Sequence, residues 1–412
     1  MTLEAWALNR LGWLEENMQH WDAAIEWYRQ SQALFEGLNQ HSRVAVVLRD
    51  IGDVQRQAKR YEEAEETYRQ VVEAYRELGD REAEAWTLNR LGVLEEERQQ
   101  WEAAIGWYER AREVFEALKQ PHHVAGLTRN IGDVLRQAKR YEEAEEVYEE
   151  VAAAYRELGD REAEAGTLNR LGVLEKERQQ WEAAIGWYER AREVFETLKQ
   201  PGRAALVTRN IGDVLVQAKR YEEAEATYRQ AIDTFRQLRD FEEQSESLLA
   251  LGHLFRLRNR AEETRTSYQQ ATQVWDRNWD AFLTLGRLQL NDEPQQTELA
   301  CRRALNGLPV HEILAHVGLA AAAAVQEEVS QVQTELETAR ELLSVAEAKY
   351  TVVKSRLEAL HIVTSVLDAP AQALQASQAF DLEAVSSTER DLIEIAFGYL
   401  SVLAQSLMDN PS

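Results

Sequence analysis

The chain has 412 residues, 44% of them hydrophobic and 29% charged, so it is globular in type but too long for one ordinary hydrophobic core. Its formal net charge of -25 argues against nucleic-acid binding, because contacts with phosphates require a cationic surface. A single cysteine, Cys301, excludes an internal disulfide, and we find neither a signal-peptide pattern nor an apolar run of membrane-spanning length. We therefore expect a repeat array or several domains, with no membrane span and a cytoplasmic location.

Glycines at every fortieth position organise the first two thirds of the chain: Gly12, Gly52, Gly92, Gly132, Gly172, Gly212 and Gly252. A tyrosine stands at the sixteenth position after each glycine, from Tyr28 to Tyr268, and an alanine at the twelfth position after each of the first six. Helix-forming residues dominate between them, with only 19 Gly and 6 Pro in the chain. A fixed period indicates stacked supersecondary units. We predict an all-α fold of helical hairpins, in which glycine on the first helix (helix A) and alanine on the second (helix B) let the backbones touch, and the tyrosine ring closes the hairpin over them.

Odd and even units differ, so the full period spans two successive units. Residues 86–120 and 166–200 differ at only three positions, Trp86/Gly166, Glu96/Lys176 and Ala117/Thr197, which indicates duplication. Turn signals mark the joints between units, which begin near Thr2, Gln40, Asp80, Gln120, Asp160, Gln200 and Asp240. Residues 1–277 are therefore predicted to hold seven units.

The packing positions carry a known pattern, which reads Leu91-Gly92, Trp101, Ala104 and Tyr108 in one unit and Ile131-Gly132, Tyr141, Ala144 and Tyr148 in the next. This pattern resembles the tetratricopeptide repeat over residues 1 to about 275. The 40-residue spacing is similar to the variant of cell-polarity adaptors, kinesin light chains and bacterial regulators. The resemblance implies a right-handed superhelix, an α-solenoid of about seven to eight hairpins, with helix A lining its concave face.

The C-terminal third follows a different pattern. Leu285-Gly286 with Cys301 and Ala304 predicts a shorter eighth repeat over 278–309. Apolar residues from Val325 to Leu360 alternate four and three apart, which is the coiled-coil period and predicts one long helix over 321–360. A last helix, Thr388 to Met408, is uncharged from Ile395 onward and must be buried. Residues 310–412 are thus predicted to form a helical cap or coiled-coil hairpin on the solenoid, with a homodimer through this region as the alternative.

Columns of polar and aromatic residues on helix A are the candidate partner-binding site, because residues three or four apart share one helical face. They are Trp6, Asn9, Trp13, Arg49, Asp53, Trp86, Asn89, Arg129, Asp133, Asn169, Arg209 and Asp213. Asparagine can donate to and accept from a peptide backbone, and Trp and Arg are frequent hot-spot residues. The alternative is that these Arg and Asp side chains pair with each other along or between helices.

No catalytic motif, phosphate-binding glycine loop or metal-ligand spacing of histidines occurs, so we expect no enzyme activity, no metal and no cofactor. The leading hypothesis is a scaffold or adaptor that binds a protein or peptide partner in the concave groove, as a subunit or assembly factor of a larger complex. The alternative is a ligand- or peptide-responsive regulator that acts on a separate effector chain.

Overall fold

The computed structural model describes residues 2–290, 293–305, 309–326, 329–349, 354–367, 369–380 and 387–409. This part of the chain contains 21 α-helices and one short 3-10 turn but no β-strand. It divides into two compact units, unit 1 from Met1 to Val207 and unit 2 from Thr208 to Ser412. The predicted all-α solenoid of helical hairpins is confirmed.

Fourteen helices alternate as helix A and helix B of seven hairpins, and the two helices of a hairpin pack on each other. Their bounds are α1 Thr2–Asn17, α2 Trp21–Gly37, α3 His41–Gln57, α4 Tyr61–Leu78, α5 Arg81–Glu97, α6 Trp101–Ala117, α7 Pro121–Gln137, α8 Tyr141–Glu157, α9 Arg161–Glu177, α10 Trp181–Thr197, α11 Pro201–Gln217, α12 Tyr221–Leu238, α13 Phe241–Leu257 and α14 Ala261–Val274.

The glycine of each helix A lies directly beneath a tyrosine ring, as the sequence predicts. A Cβ atom built on any of the first six glycines would lie 2.5 to 2.8 Å from the nearest ring carbon of the tyrosine on helix B of the same hairpin. Gly92 and Tyr108, for example, belong to α5 and α6, and Tyr108 is fully buried. Only glycine permits this approach, so the repeated glycine sets the spacing of the two helices.

Turns between helices use residues suited to ending one helix and starting the next. α4 ends in front of Gly79, whose φ of 72° is left-handed, and Asp80 then accepts a hydrogen bond from the backbone N–H of Ala83 at 3.1 Å. Gly159 and Asp160 repeat this arrangement between α8 and α9. A left-handed glycine followed by an aspartate N-cap is a standard helix stop and restart, so local sequence fixes these joints.

An eighth, shorter helix pair follows, formed by α15 Trp279–Gln289 and α16 Pro294–Ala304. Gly286 lies on α15, but the tyrosine beside it comes from the last helix of the chain. A Cβ on Gly286 would lie 3.1 Å from Tyr399 Oη and 3.3 Å from Ala300 Cβ. A distant segment thus supplies the contact that helix B supplies in the other seven pairs.

The single long helix predicted over 321–360 is wrong. The structure has α17 Pro309–Val325, α18 Val329–Lys349 and α19 Lys354–Thr364, while residues 327–328 and 350–353 lie outside the described part. Val332, Leu336, Ala339 and Leu343 of α18 are buried in one core cluster with the alanine-rich α17, on which α18 packs. The heptad spacing therefore reflects packing between two helices of the same chain.

Three further segments complete unit 2: a 3-10 turn Ser365–Leu367, α20 Pro370–Ala379 and α21 Ser387–Asp409. α21 is the predicted apolar last helix, and it packs against α15, α17, α19 and α20. Tyr399, Leu400 and Leu403 of α21 are fully buried in the same core cluster as α17. The chain itself covers the uncharged face of α21.

Candidate partner-binding surface

The aspartates of the predicted columns bind groups of the protein itself. Tyr68 Oη donates to Asp53 Oδ1 at 2.6 Å, and Arg90 Nε of the next hairpin donates to the same oxygen at 3.0 Å. Asp133 is held in the same way, by Tyr148 at 2.6 Å and by Arg170 at 3.0 Å. Each carboxylate thereby joins the tyrosine of its own hairpin to an arginine of the next helix A.

The rest of the Asp and Arg columns have less uniform partners. Asp213 accepts from Tyr228 at 2.7 Å, and Arg209 pairs with Glu243 at 2.5 Å. Arg49 instead pairs with its neighbour Asp50 at 2.8 Å. The buried Nε of Arg129 has no hydrogen-bond partner in the described part of the structure. These arginines occupy equivalent positions but have different surroundings.

The asparagine column lies half-buried on helix A. Asn9 interacts with the carboxyl group of Asp50, which lies on the next helix A, and lowers its pKa. Asn89 accepts a hydrogen bond from Asn130 at 3.3 Å across the same kind of junction. Asn169 is half-buried at the same position of α9. Asn9 and Asn89 therefore contact the next A helix.

Tryptophans of helix A combine packing with partial exposure. Trp86 contacts Phe115 and His123 edge-on, with ring centroids 5.1 and 5.0 Å apart. Trp6 contacts Phe35 at 5.9 Å, and the Arg43 guanidinium lies 5.1 Å from its ring. All three predicted tryptophans are partly exposed.

One cleft in unit 1 brings three predicted residues together. Asn9, Trp13 and Asp53 line it, and its volume is about 230 Å³. Its other lining residues were not predicted from the sequence: Arg10, Glu16, Tyr28 and Asp50. The Arg10 guanidinium lies 4.4 Å from the centre of the Trp13 ring, a cation–π contact. The remaining predicted residues do not line this cleft.

Electrostatics in the cleft are dominated by its carboxyl groups. Burial raises the pKa of Asp50, against the opposing effect of its hydrogen bond and ion pair with Arg49 and of the nearby Asn9 side chain. Burial also raises the pKa of Tyr28, together with its hydrogen bond to Glu16 at 2.8 Å. A cleft of this kind offers acceptors and one aromatic face, which suits a ligand with donor groups.

Next to the cleft, α1 and Met18 in the turn that follows it expose an apolar stripe that the sequence analysis missed. Its large members are 86%, 40%, 48% and 54% exposed and are Leu3, Leu11, Leu14 and Met18. The equivalent residues of α5, one full period later, are Ala83, Leu91, Leu94 and Arg98, and both leucines are fully buried where α5 packs on α4. Alignment of the paired repeats would have revealed this stripe, because three positions are larger or more apolar in the first unit: Leu3/Ala83, Trp13/Val93 and Met18/Arg98.

The charged contacts of the internal junctions are also changed at α1. Arg98 pairs with Glu65 at 2.9 Å and with Glu62 at 3.6 Å, both on the preceding helix B. Met18 stands at the corresponding position of α1. Arg10 corresponds to Arg90, whose partner is Asp53 of the preceding hairpin, and it stacks on Trp13 instead. α1 thus presents the face of an internal helix A with a more apolar surface.

Other chemistry has little support in the described residues. No group of three or more His, Cys, Asp or Glu side chains there is placed to hold a metal ion. Burial raises the pKa of the Cys301 thiol to about 12, so this cysteine is a thiol and not a thiolate at neutral pH. No described helix combines the length and apolar character that crossing a bilayer requires.

Comparison with known proteins gives a clear sequence match and weaker structural ones. The tetratricopeptide repeat model matches residues 43–117, 123–197 and 203–277, together more than half of the chain. No curated protein matches this chain in sequence. Aspartyl phosphate phosphatase F from Bacillus subtilis aligns with 11% identity over 86% of this chain and 97% of that one, with a TM-score of 0.49.

Two further solved structures are similar at the same level. BtubC from P. vanneervenii aligns with 15% identity over 65% of this chain and 94% of that one, with a TM-score of 0.40. A signal transduction ATPase with numerous domains and a tetratricopeptide repeat sensor, from Pyrococcus horikoshii, aligns with 13% identity and a TM-score of 0.49. That alignment covers 81% of this chain but only 54% of the ATPase, so this chain spans about half of its length.

Proposed function

Because the chain belongs to the tetratricopeptide repeat family, we propose that it is a non-catalytic scaffold that binds a helical protein partner at its N-terminal hairpin. The binding surface consists of the apolar stripe of α1 (Leu3, Leu11, Leu14 and Met18) and the adjoining cleft with Asn9, Trp13 and Asp53. In this proposal the protein is a cytosolic subunit or assembly factor of a larger complex.

The exposure of Leu11 and Leu14 carries the proposal. The exposed face of a surface helix is normally polar. Here the exposed face of α1 carries Leu11 and Leu14, whose counterparts Leu91 and Leu94 in α5 are buried. Such a face on a surface helix marks an interaction site.

Internal junctions show what kind of partner fits. Both helices of the preceding hairpin contact α5. Helix B places Val71 and Tyr75 against Ala83, and Asp53 of helix A binds Arg90. A partner at α1 therefore presents an amphipathic helix with apolar residues towards the stripe and a carboxylate towards Arg10. An acidic pair like Glu62 and Glu65 is not required, since Met18 replaces Arg98.

The other residues predicted on the A helices have a smaller role in this proposal. Asp53 and Asp133 already bind Tyr and Arg side chains, so their contribution to a partner is limited to the acceptor capacity that remains. Trp86, Asn89, Arg129 and Asn169 extend the surface along the A helices of unit 1. Arg209 and Asp213 belong to unit 2.

The C-terminal helices are a poorer candidate for a homodimer interface. The apolar residues of α18 and α21 that suggested such an interface, among them Leu336 and Leu403, are buried in the core cluster of unit 2. Helices whose apolar faces are already covered gain little from a second copy. We therefore place the partner on unit 1.

The test compares two variants that each remove a pair of exposed leucines. Leu11→Gln with Leu14→Gln removes the stripe, and Leu78→Gln with Leu257→Gln is the matched control, because these leucines are 39% and 58% exposed elsewhere. Partners are captured from lysate by photo-crosslinking through a benzoylphenylalanine that replaces Ala7 of α1, and they are then identified by mass spectrometry. Loss of one partner in the stripe variant alone supports the proposal.

The opposite result is equally clear. A partner that the stripe variant retains as well as the control variant binds elsewhere and overturns the α1 assignment. A further variant, Asn9→Ala, separates the cleft from the stripe, since it removes a polar side chain that lines the cleft without changing the apolar surface. The second candidate function is a ligand-responsive regulator acting on a separate effector chain, and one pocket in unit 2 favours it.

A further inference from the structure

A polar pocket of about 360 Å³ lies in unit 2 among α13, α14, α15 and α21. Its polar lining residues are His253 and Arg256 of α13, Tyr268 of α14, Thr284 and Arg287 of α15, and Glu394 of α21. Leu288 and Ile395 form an apolar part of the wall. The pocket is thus built by repeat helices on one side and by the last helix of the chain on the other.

Positive charge exceeds negative charge in this pocket, in a protein that is strongly acidic overall. Arg256 pairs with Glu394 at 2.9 Å, so these two charges balance. Arg287 makes no hydrogen bond and no ion pair with any side chain in the described part of the structure. The Arg287 guanidinium therefore offers one positive charge to a ligand, and a ligand with one negative charge would neutralise it.

The position of Arg287 is fixed by close packing. A Cβ built on Gly398 of α21 would lie 2.8 Å from Arg287 Cδ and 2.9 Å from Cζ, and would collide with Nε. The guanidinium therefore lies across Gly398. Desolvation lowers the pKa of Arg287, and the charge of Arg256 lowers it further, against an opposing effect of Tyr399. This arginine is costly to the fold in the absence of an anion.

Thr284 provides a second group without a partner. Its side chain is only 7% exposed, and Oγ1 has no hydrogen-bond partner in the described structure. A buried hydroxyl is normally satisfied by protein or water. Thr284 and Arg287 are one helical turn apart on α15, so both reach the same ligand.

We propose that this pocket binds a small monoanionic carboxylate, with Arg287 and Thr284 contacting the carboxylate and Leu288 and Ile395 contacting an apolar body. A guanidinium matches the planar carboxylate with two parallel N–H···O bonds. One guanidinium without an ion pair favours a singly charged carboxylate over a doubly charged phosphate. The volume lies at the lower end of known ligand sites, which limits the ligand to a small molecule. Binding would join α15 to α21.

Three probes test the ligand class on the full chain at constant ionic strength: benzoate, its uncharged isostere benzamide, and inorganic phosphate. Binding is followed by the NMR shift of the Arg287 Nε–Hε group and by equilibrium dialysis. We expect benzoate to bind and to shift this signal, with benzamide at least about tenfold weaker. Equal binding of benzamide, preferential binding of phosphate, or no benzoate binding up to about 10 mM overturns the proposal.

Variants then locate the site. Arg287→Gln is expected to weaken benzoate at least about tenfold, because it removes the charge but keeps a side chain of similar length. Gly398→Ala is also expected to weaken benzoate binding, since the new Cβ displaces the Arg287 guanidinium. Arg303→Gln, at an exposed arginine of α16, is the matched control and should leave binding unchanged.

Each of these variants is first checked for an unchanged helical circular dichroism spectrum. Unchanged benzoate affinity in folded Arg287→Gln and Gly398→Ala would refute the site. Slower hydrogen exchange in α21 with benzoate bound, and no change in α1, would show that the ligand joins α21 to the repeats. These results do not depend on the α1 surface, so they test the pocket separately from the scaffold function.

Discussion

The glycine beneath each tyrosine offers a decisive test of how the hairpins are built. Gly92 and Gly106 are both helical glycines, on α5 and α6 of one hairpin. A Cβ on Gly92 would lie 2.5 and 2.6 Å from two ring carbons of Tyr108, whereas a Cβ on Gly106 meets nothing within 4 Å. Replacing each with alanine therefore makes the same chemical change in two opposite environments.

Magnitudes follow from two terms. Gly→Ala in a helix gains about 1 kcal/mol of helix propensity at either position. At Gly92 the new methyl must displace Tyr108, which is 1% exposed and donates a hydrogen bond to Glu96 at 2.9 Å, so the ring has little freedom to move. Overpacking of this kind costs about 1–3 kcal/mol. Since the propensity term is common, the difference between the two variants equals the overpacking cost.

We expect Gly106→Ala to raise the free energy of unfolding by about 1 kcal/mol. The free energy of unfolding of Gly92→Ala should lie about 1–3 kcal/mol below that of Gly106→Ala. Urea unfolding, followed by far-ultraviolet circular dichroism and by tryptophan fluorescence, measures both. In a Tyr108→Ala background the clash is gone, so Gly92→Ala should then stabilise as much as Gly106→Ala. Equal stabilisation by the two alanines in the native background would refute the close-packing argument.

Three further variants test other parts of unit 1 by the same unfolding measurement. Asp80→Ala removes an N-cap and should cost about 1 kcal/mol, with Asp80→Asn as the mild control. Burial raises the pKa of Asp50, so the folded protein binds this proton more tightly than the unfolded chain does. The stability that Asp50 contributes therefore falls as the pH rises above about 4. Asn130 occupies the position of Asp50 one full period later. Asp50→Asn should gain stability relative to the native chain between pH 4 and 7, and a stability difference that does not change with pH would contradict this. Gly166→Trp fills the space that Trp86 occupies in the preceding pair of units and should stabilise by about 1–2 kcal/mol; a loss of stability would show that the site cannot accept the ring.

The hairpins were predictable because their determinants are local and repeated. Gly92 and Tyr108 lie within one repeat unit, and the joint at Gly79-Asp80 uses residues whose backbone preferences are known in isolation. A signal that recurs seven times at one spacing leaves few alternative folds. The helix period also placed the polar columns on helix A.

The partners of those columns depended on how successive hairpins stack. Asp53 binds Arg90, and Asn89 accepts from Asn130, across junctions that a single helical face does not define. The amino-acid spacing left two interpretations open, a partner-binding column or internal pairs. The contacts between hairpins provide the internal pairs, and they also leave Leu11 exposed where Leu91 is buried.

The C-terminal region shows the limit of periodicity most clearly. A heptad pattern specifies that a helix has an apolar stripe, but α18 satisfies it against α17 and not within one long helix. Likewise nothing in the order of residues connects Tyr399 with Gly286, or Gly398 with Arg287, since each pair is far apart in the chain. The regular period by itself determines the repeats, because each unit buries its own glycine beneath its own tyrosine. The C-terminal helices and the pocket arise only when distant, non-repeating surfaces pack together.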